Sequence, residues 1–368
     1  MSDHMLIANF DPINGWSAPE IKPYAPLQLD PASSCLHYSS NVFEGLKVIS
    51  IPLYPLLHPD RNWWIIKAYV GPDGSPRLFR PDKNMDRLTT SAARVALPPF
   101  DSDALLTLIK KLIIIEKRWI PSLPGYSLYI RPTIIGTRPS LGVFASDSAM
   151  LFVILSPTGP YFRTPSPLSL LSIGQSVRSW PGGTGAYKLA SNYTQGFLPQ
   201  RAAARRGFHQ CLWLLGGDTI TEAGAMNFFV VLKRDDGDLD VVTPPLDGTI
   251  LPGLTRDACL DLLNAHPRIS RLPNIPDTLK IYTHERTLTM TQLAQYSAEG
   301  KLVEAFVSGT AVIVAPVGRI GWEDETKGDI VLKEWEGAYG PVGKALWERI
   351  VDIQQGRFEW KGWSVPCV

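Results

Sequence analysis

The sequence predicts an α/β (α+β) protein of two domains, and three observations carry that prediction. A chain of 368 residues is longer than one ordinary core organises. Helix-type and strand-type patterns occur together on both sides of its middle. Between them, Pro157-Thr158-Gly159-Pro160 and then Thr164-Pro165-Ser166-Pro167 form the strongest cluster of breakers near mid-chain. The expected division is a domain over residues 1–157, a linker over 158–167 and a second domain over 168–368.

In the first part, residues 36–50 read as strand, turn and strand, and residues 82–96 as a helix. Asp101-Ser102-Asp103 supplies side-chain oxygens to cap a helix running to about residue 119, with Leu105, Leu108, Leu112 and Ile115 on one side. Residues 127–136 and 149–156 are rich in β-branched and apolar types and read as strands. Past the linker, residues 168–173, 211–215, 226–232 and 239–242 read as strands. Residues 194–206, 255–265, 289–298 and 341–355 read as helices. There is no internal repeat and no low-complexity tract.

Composition excludes several functions. With 36 basic against 35 acidic residues, the net charge of +1 gives no electrostatic case for nucleic acid or an acidic membrane. No apolar run is long enough to span a bilayer. The N-terminus lacks the basic flank and apolar core of a signal peptide, so a cytoplasmic protein is expected. The four cysteines (Cys35, Cys211, Cys259, Cys367) form no Cys-x-x-Cys pair, which suits a reducing compartment. The six histidines show no metal-ligand spacing, so no metal is expected.

Lys188 is the residue with the most chemistry in its setting. It follows Gly182-Gly183-Thr184-Gly185-Ala186-Tyr187, Tyr193 comes five positions later, and Glu222 stands alone at the head of the hydrophobic run Ala223-Gly224-Ala225-Met226-Asn227-Phe228. On composition alone Lys188 reads as an ordinary surface lysine. Buried among glycines, its ammonium would lose solvation and become a nucleophilic amine able to form a Schiff base with an aldehyde such as pyridoxal phosphate. A buried Glu222 needs a cationic partner, and a protonated pyridine nitrogen supplies one. The glycine run lacks the spacing of a phosphate loop and reads as room for closely packed backbone.

An ordered series of segments runs along nearly the whole chain. It comprises Ser34-Cys35-Leu36-His37-Tyr38, Val42-Phe43-Glu44-Gly45-Leu46-Lys47, Arg77-Leu78-Phe79-Arg80-Pro81, Asn84-Met85-Asp86-Arg87 and Tyr129-Ile130-Arg131-Pro132. Pro139-Ser140-Leu141-Gly142-Val143, the Lys188 and Glu222 segments, Leu251-Pro252-Gly253-Leu254-Thr255-Arg256 and Ser308-Gly309-Thr310-Ala311 complete it. In this the chain resembles the branched-chain amino acid aminotransferases, class IV (fold type IV) pyridoxal-phosphate enzymes.

The resemblance implies a small α/β domain, a larger pseudo-barrel domain and pyridoxal 5'-phosphate as cofactor. Lys188 would carry the cofactor and serve as general base and acid. Tyr193 would meet its phenolic oxygen and Glu222 its ring nitrogen. Arg87, Leu254, Thr255 and Thr310 would hold its phosphate, Leu254 and Thr255 at a helix start whose amides and dipole favour an anion. Tyr38, Phe43, Tyr129, Arg131 and Tyr161 would form the substrate pocket, with the Ala311 amide as a carboxylate donor and Leu141 and Val143 reaching in from the second subunit of a homodimer.

Two departures bear on the substrate. The family commonly has a Thr, helping to bind the substrate carboxylate, where this chain has Ala225. A pocket Phe usually precedes the segment matching Asp3-His4-Met5-Leu6, and this chain is expected to lack it. The expected activity is ping-pong transfer of an amino group between branched-chain or bulkier aliphatic L-amino acids and 2-oxoglutarate. D-amino acid transfer, aminodeoxychorismate lyase chemistry, or a specialised pathway with a non-standard aliphatic substrate are the alternatives within class IV.

Overall fold

The computed structural model describes residues 1–49, 74–123, 125–159 and 166–368. The chain divides into two compact units: Met1–Pro160, Tyr187–Ala190 and Val351–Val368 make the first, Tyr161–Ala186 and Ser191–Ile350 the second. Tyr187–Ala190 and Val351–Val368, which the sequence reading groups with the second domain, thus fall in the first unit.

The first unit begins with β1 (His4–Asp11), β2 (Gly15–Trp16) and β3 (Glu20–Pro23), then α1 (Ser34–Tyr38), β4 (Asn41–Phe43), β5 (Leu46–Ile49) and β6 (Arg77–Phe79). Two helices follow, α2 (Pro81–Arg94) and α3 (Ser102–Ile115), then β7 (Ser127–Gly136) and β8 (Ala149–Thr158). Seven strands form one sheet in the order β2-β1-β8-β7-β4, with β3 also on β1 and β5 also on β7. In β7 burial alternates, as the period of a strand requires: Leu128 and Ile130 are buried, while Tyr129 and Arg131 are half-buried on the other face. Leu128 and Ile130 join Leu46 and Val48 of β5 and Leu88, Ile109 and Leu112 of the helices in one core. Each such fully buried side chain contributes about 1.5–3 kcal/mol relative to exposure. Pro81 starts α2, where its missing N–H costs nothing, and the Asp101 carboxylate caps α3 by accepting the amides of Asp103 and Ala104.

Two elements here differ from the sequence reading. The stretch expected as strand from residue 36 opens as the short helix α1, ended by Ser39 in the left-handed region. The helix expected to reach residue 119 stops at Ile115, and Lys117–Trp119 is a 3-10 turn. Its interruption falls at Glu116, whose buried carboxylate is taken by the Asp3 amide at 3.0 Å and by the His4 ring. The end of the expected strand at Ser50 lies outside the described residues.

The second unit holds β9 (Leu168–Ile173), α4 (Ser191–Thr194), α5 (Phe197–Arg205), β10 (Gln210–Leu215), β11 (Thr219–Ala223), β12 (Met226–Lys233), β13 (Leu239–Thr243) and α6 (Leu254–Ala265). Next come β14 (Ile281–Glu285), α7 (Met290–Ala298), β15 (Leu302–Gly309), β16 (Ile313–Gly321), β17 (Ile330–Val331) and α8 (Pro341–Gln354), whose residues from Val351 on are counted in the first unit. The strands run β11-β10-β9-β16-β15-β12, and β12 pairs back to β11, closing a six-stranded barrel. β13 and β14 extend the sheet beyond β12, and β17 adds to β16. Leu170, Leu212, Phe228, Val230, Val307 and Ile320 belong to one core. The helix expected over 194–206 is split into α4 and α5 at Gly196, a poor helix former. After α8, β18 (Ser364–Pro366) pairs antiparallel with β6 in the first unit.

Candidate active site

In the first unit Lys188 rides on a short segment that pairs beside β4. Val42 pairs with Leu189, the Phe43 amide donates to the Lys188 carbonyl at 3.3 Å, and the Ala190 amide donates to the Asn41 carbonyl at 3.0 Å. The Lys188 amide in turn donates to Ser91 Oγ of α2 at 2.9 Å. These bonds fix the backbone that presents the side chain. The Lys188 ammonium lies 5.2 Å from the centre of the Phe43 ring. The Arg131 guanidinium lies 4.6 Å from the same ring, and its Nη2 donates to the Tyr129 hydroxyl at 3.3 Å. A Cβ added at Gly45 would stand 2.0 Å from that hydroxyl, so glycine there makes room for the tyrosine.

Arg87 of α2 is held by Glu44. Arg87 Nε and Nη2 donate to the Glu44 carboxylate at 2.6 and 2.9 Å, and Asn84 Nδ2 donates at 2.7 Å. Glu44 has no exposed surface. Its burial pushes the carboxyl up, but the charge and hydrogen bonds of Arg87, the Lys188 charge and Asn84 together outweigh it and hold the group below its usual range. The Tyr38 hydroxyl donates to the Leu141 carbonyl. Leu141 and Val143 stand on the surface, 65% and 78% exposed.

The second unit gathers its residues at one end of the barrel. Glu222 near the end of β11 is 2% exposed. Arg178 Nε lies 3.0 Å from its Oε2, and the Leu251 amide donates to its Oε1. Arg178 is itself anchored: Nη1 donates to the Thr249 carbonyl at 2.9 Å, and Gln195, just past α4, donates to its carbonyl oxygen. Glu222, Asn227 and Ser308 sit opposite one another across β11, β12 and β15, so they share a face. Ala225, exposed, lies in the turn joining β11 to β12, and Thr310 and Ala311 lie in the turn joining β15 to β16 at the same barrel end. Asn227 Nδ2 donates to the Leu251 carbonyl at 3.0 Å, and a Cβ at Gly253 would stand 2.0 Å from Asn227 Oδ1. The start of α6, with Leu254 and Thr255 as its first residues, is thereby drawn against this strand, bringing helix amides and a positive dipole end with it.

A phosphate-bearing ring cofactor fits this donor set. The Ser308 hydroxyl is fully buried with no hydrogen-bond partner among the described residues, beside a helix start and a paired buried carboxylate. Among the described residues no group of three His, Cys, Asp or Glu side chains could hold a metal ion.

The structure therefore brings Phe43, Arg87, Tyr129, Arg131 and Lys188 together in one unit, and Glu222, Ala225, Leu254, Thr255, Thr310 and Ala311 in the other. Tyr193 lies in α4, in the half-turn before Gln195. Tyr161 lies outside the described residues. Sequence reasoning gave no part to Glu44, Arg178 or Asn227. Glu44 had a signal, since a carboxylate between Phe43 and Leu46 must find partners if it is buried. Arg178 had none: it sits in an irregular segment with no informative spacing.

The model of the amino-transferase class IV family matches residues 66–320. The chain is 43% identical over 369 residues to the mitochondrial branched-chain-amino-acid aminotransferase of Schizosaccharomyces pombe, covering 100% of this chain and 79% of that protein. It is 43% identical over 366 residues to the cytosolic branched-chain-amino-acid aminotransferase of Saccharomyces cerevisiae, covering 99% of this chain and 89% of that protein. In fold it matches the branched-chain amino acid aminotransferase of Thermobaculum terrenum solved in its PLP-bound holo-form, with a TM-score of 0.71 at 18% identity over 100% of this chain and 99% of that one. By family model, by full-length relatives and by fold, the chain belongs to the class IV aminotransferases, in their branched-chain amino acid aminotransferase family.

Proposed function

We propose that this protein is a pyridoxal-phosphate-dependent aminotransferase exchanging the amino group of branched-chain or bulkier aliphatic L-amino acids with 2-oxoglutarate in a ping-pong cycle. The observation that carries this reading is the placing of Lys188, whose backbone is bonded on both sides while its amine is offered to the face bearing Phe43, Arg131 and Tyr129. Pyridoxal phosphate, when bound, supplies an aldehyde for the incoming amine and a ring that withdraws electrons.

The residues do the rest. Lys188 carries the cofactor and moves the proton at the substrate Cα. Glu222, oriented by Arg178 and the Leu251 amide, would pair with the ring nitrogen, and Tyr193 with the phenolic oxygen. Arg87, the first amides of α6 at Leu254 and Thr255, and Thr310 hold the phosphate. Tyr38, Phe43, Tyr129 and Arg131 receive the substrate, with the Ala311 amide on its carboxylate. Ala225 offers that carboxylate no hydroxyl, which favours substrates with more apolar surface to bury.

The active form is a homodimer, with Leu141 and Val143 covered by a second copy. The protein acts in the cytoplasm. All four cysteines are free and buried, in keeping with a reducing compartment, and among the described residues no helix is long and apolar enough to cross a membrane. Wild type assayed with valine, leucine, isoleucine and longer homologues against 2-oxoglutarate should turn over this series. Lys188→Ala should fall to background and keep its fold by circular dichroism. Full activity of that variant removes the reading.

A further inference from the structure

Glu304 of β15 is a buried carboxyl group, 5% exposed, with no cation to answer it. Its Oε1 accepts the Val342 amide at 2.9 Å and its Oε2 the Gly343 amide at 3.1 Å, both at the start of α8. A Cβ added at Gly340 would stand 2.2 Å from Glu304 Cδ, so glycine there lets the chain entering α8 close on the carboxyl group. A carboxylate offers about four lone-pair positions, and the amides take one on each oxygen. Burial pushes the carboxyl up, and the two amide bonds do not bring it back. Among the described residues no Lys, Arg or His pairs with it. Glu304 lines a cavity of about 300 Å³, with Leu168, Val317, Leu332 and Trp335 among its other walls. That volume lies at the lower end of the range for small-molecule sites. The cations at this cavity have partners of their own. The Arg319 guanidinium lies 4.1 Å from the Phe208 ring centre with its Nε 3.6 Å from Asp329, and the Lys333 ammonium lies 4.1 Å from the Trp335 ring centre. An anion entering here would have to settle beside Glu304. A metal ion would find a single buried carboxylate among apolar walls.

We infer that this cavity is a ligand site in its own right, taking a small primary ammonium with an aliphatic body and no carboxylate. The ammonium donates to the lone pairs of Glu304 that the amides leave, a charge-assisted bond stronger than a neutral one. It supplies the positive charge that a buried carboxylate otherwise lacks. The aliphatic body lies against Leu168, Val317 and Leu332, all of them buried. A ligand carboxylate would be repelled by Glu304 and by Glu334, which also lines the cavity. The site is separate from the end of the barrel assigned to the cofactor. Ser308 stands at that end on the same strand, roughly 13 Å from Glu304 by the rise of a strand.

The test uses the cofactor-loaded full chain after borohydride reduction, so that an amine has no aldehyde to condense with. The probes are 3-methylbutylamine and its neutral counterpart 3-methylbutan-1-ol, with dissociation constants read by calorimetry at neutral pH. Wild type should bind the amine saturably and the alcohol at least about tenfold more weakly, the difference expected of one charge-assisted bond. Glu304→Gln should lower the amine affinity at least about tenfold and leave that of the alcohol unchanged. Should that variant fail to fold, Ala338→Phe narrows the cavity and leaves the carboxylate in place. It should weaken both probes at least about tenfold, the loss expected when a buried aliphatic body is shut out. No saturable binding of the amine by wild type, equal affinity for amine and alcohol, or an amine affinity unchanged by either substitution overturns the assignment.

Discussion

Glu44 illustrates how much one buried side chain can organise. Its carboxylate accepts from Arg87, Asn84 and the Gly45 amide. Its folded pKa is depressed below the ordinary carboxylate value. The stability it contributes is therefore present above the unfolded pKa and is lost as pH falls through the lower folded value. Glu44→Gln removes the charge and leaves Arg87 buried without its counter-ion, a change that costs about 3–5 kcal/mol at neutral pH. Urea unfolding across a pH series should show the gap between wild type and variant narrowing as wild-type Glu44 protonates. A gap constant with pH would mean the pair is not ionised in the fold. Lys188 stands out in the sequence once the family resemblance gives meaning to the glycines, the aromatic and the distant Glu around it. Glu44 and Arg178 do not, because their meaning comes from partners brought near by folding: Arg87 is far along the chain from Glu44, and Glu222 far from Arg178.

At the scale of elements, local signals can be read where they are local. The Asp101 cap and the Thr289 capping box of α7 are both formed, and β7 and β9 lie where their apolar runs stand. The two barrel strands β15 and β16 escape a sequence reading. Glu304 interrupts the first and Pro316 with two glycines the second, which hides their apolar alternation. Glu304 is tolerated because the Val342 and Gly343 amides at the start of α8 donate to it at 2.9 and 3.1 Å, a partner invisible from the strand itself. The glycine run before Lys188 is close-packed at Gly185, where an added Cβ would stand 2.1 Å from Ser179 Oγ and 2.3 Å from the Thr249 carbonyl oxygen. The Thr249 atom is backbone and cannot rotate away. Gly185→Ala should cost about 1–3 kcal/mol through forced backbone shifts, read as a lower Tm of the apo-protein. It should also weaken cofactor retention, since Thr249 anchors Arg178 behind Glu222. A Tm equal to wild type would show that the segment relaxes freely.

For the whole molecule, the homodimer that the family resemblance implies has a candidate surface. Leu141, Val143 and Phe144 are 65%, 78% and 72% exposed within a few residues of one another. Apolar side chains so clustered mark an interaction surface. Sedimentation at assay concentration should give a dimer, and Val143→Asp should shift it toward monomer with loss of turnover. A fully active monomer would remove that assembly. The division into units is partly visible in the Pro-rich stretch near residue 160, but nothing local announces that residues 187–190 and 351–368 return to the first unit. That return has a consequence for the order of events in the cell. Chains emerge from the ribosome N-terminus first, and domains usually fold as they appear. Here β6 waits for β18, its partner 285 or more residues later in the register Arg77 to Pro366 and Phe79 to Ser364. The first unit is translated almost entirely before the second, yet it can be finished only once residues 351–368 have left the ribosome.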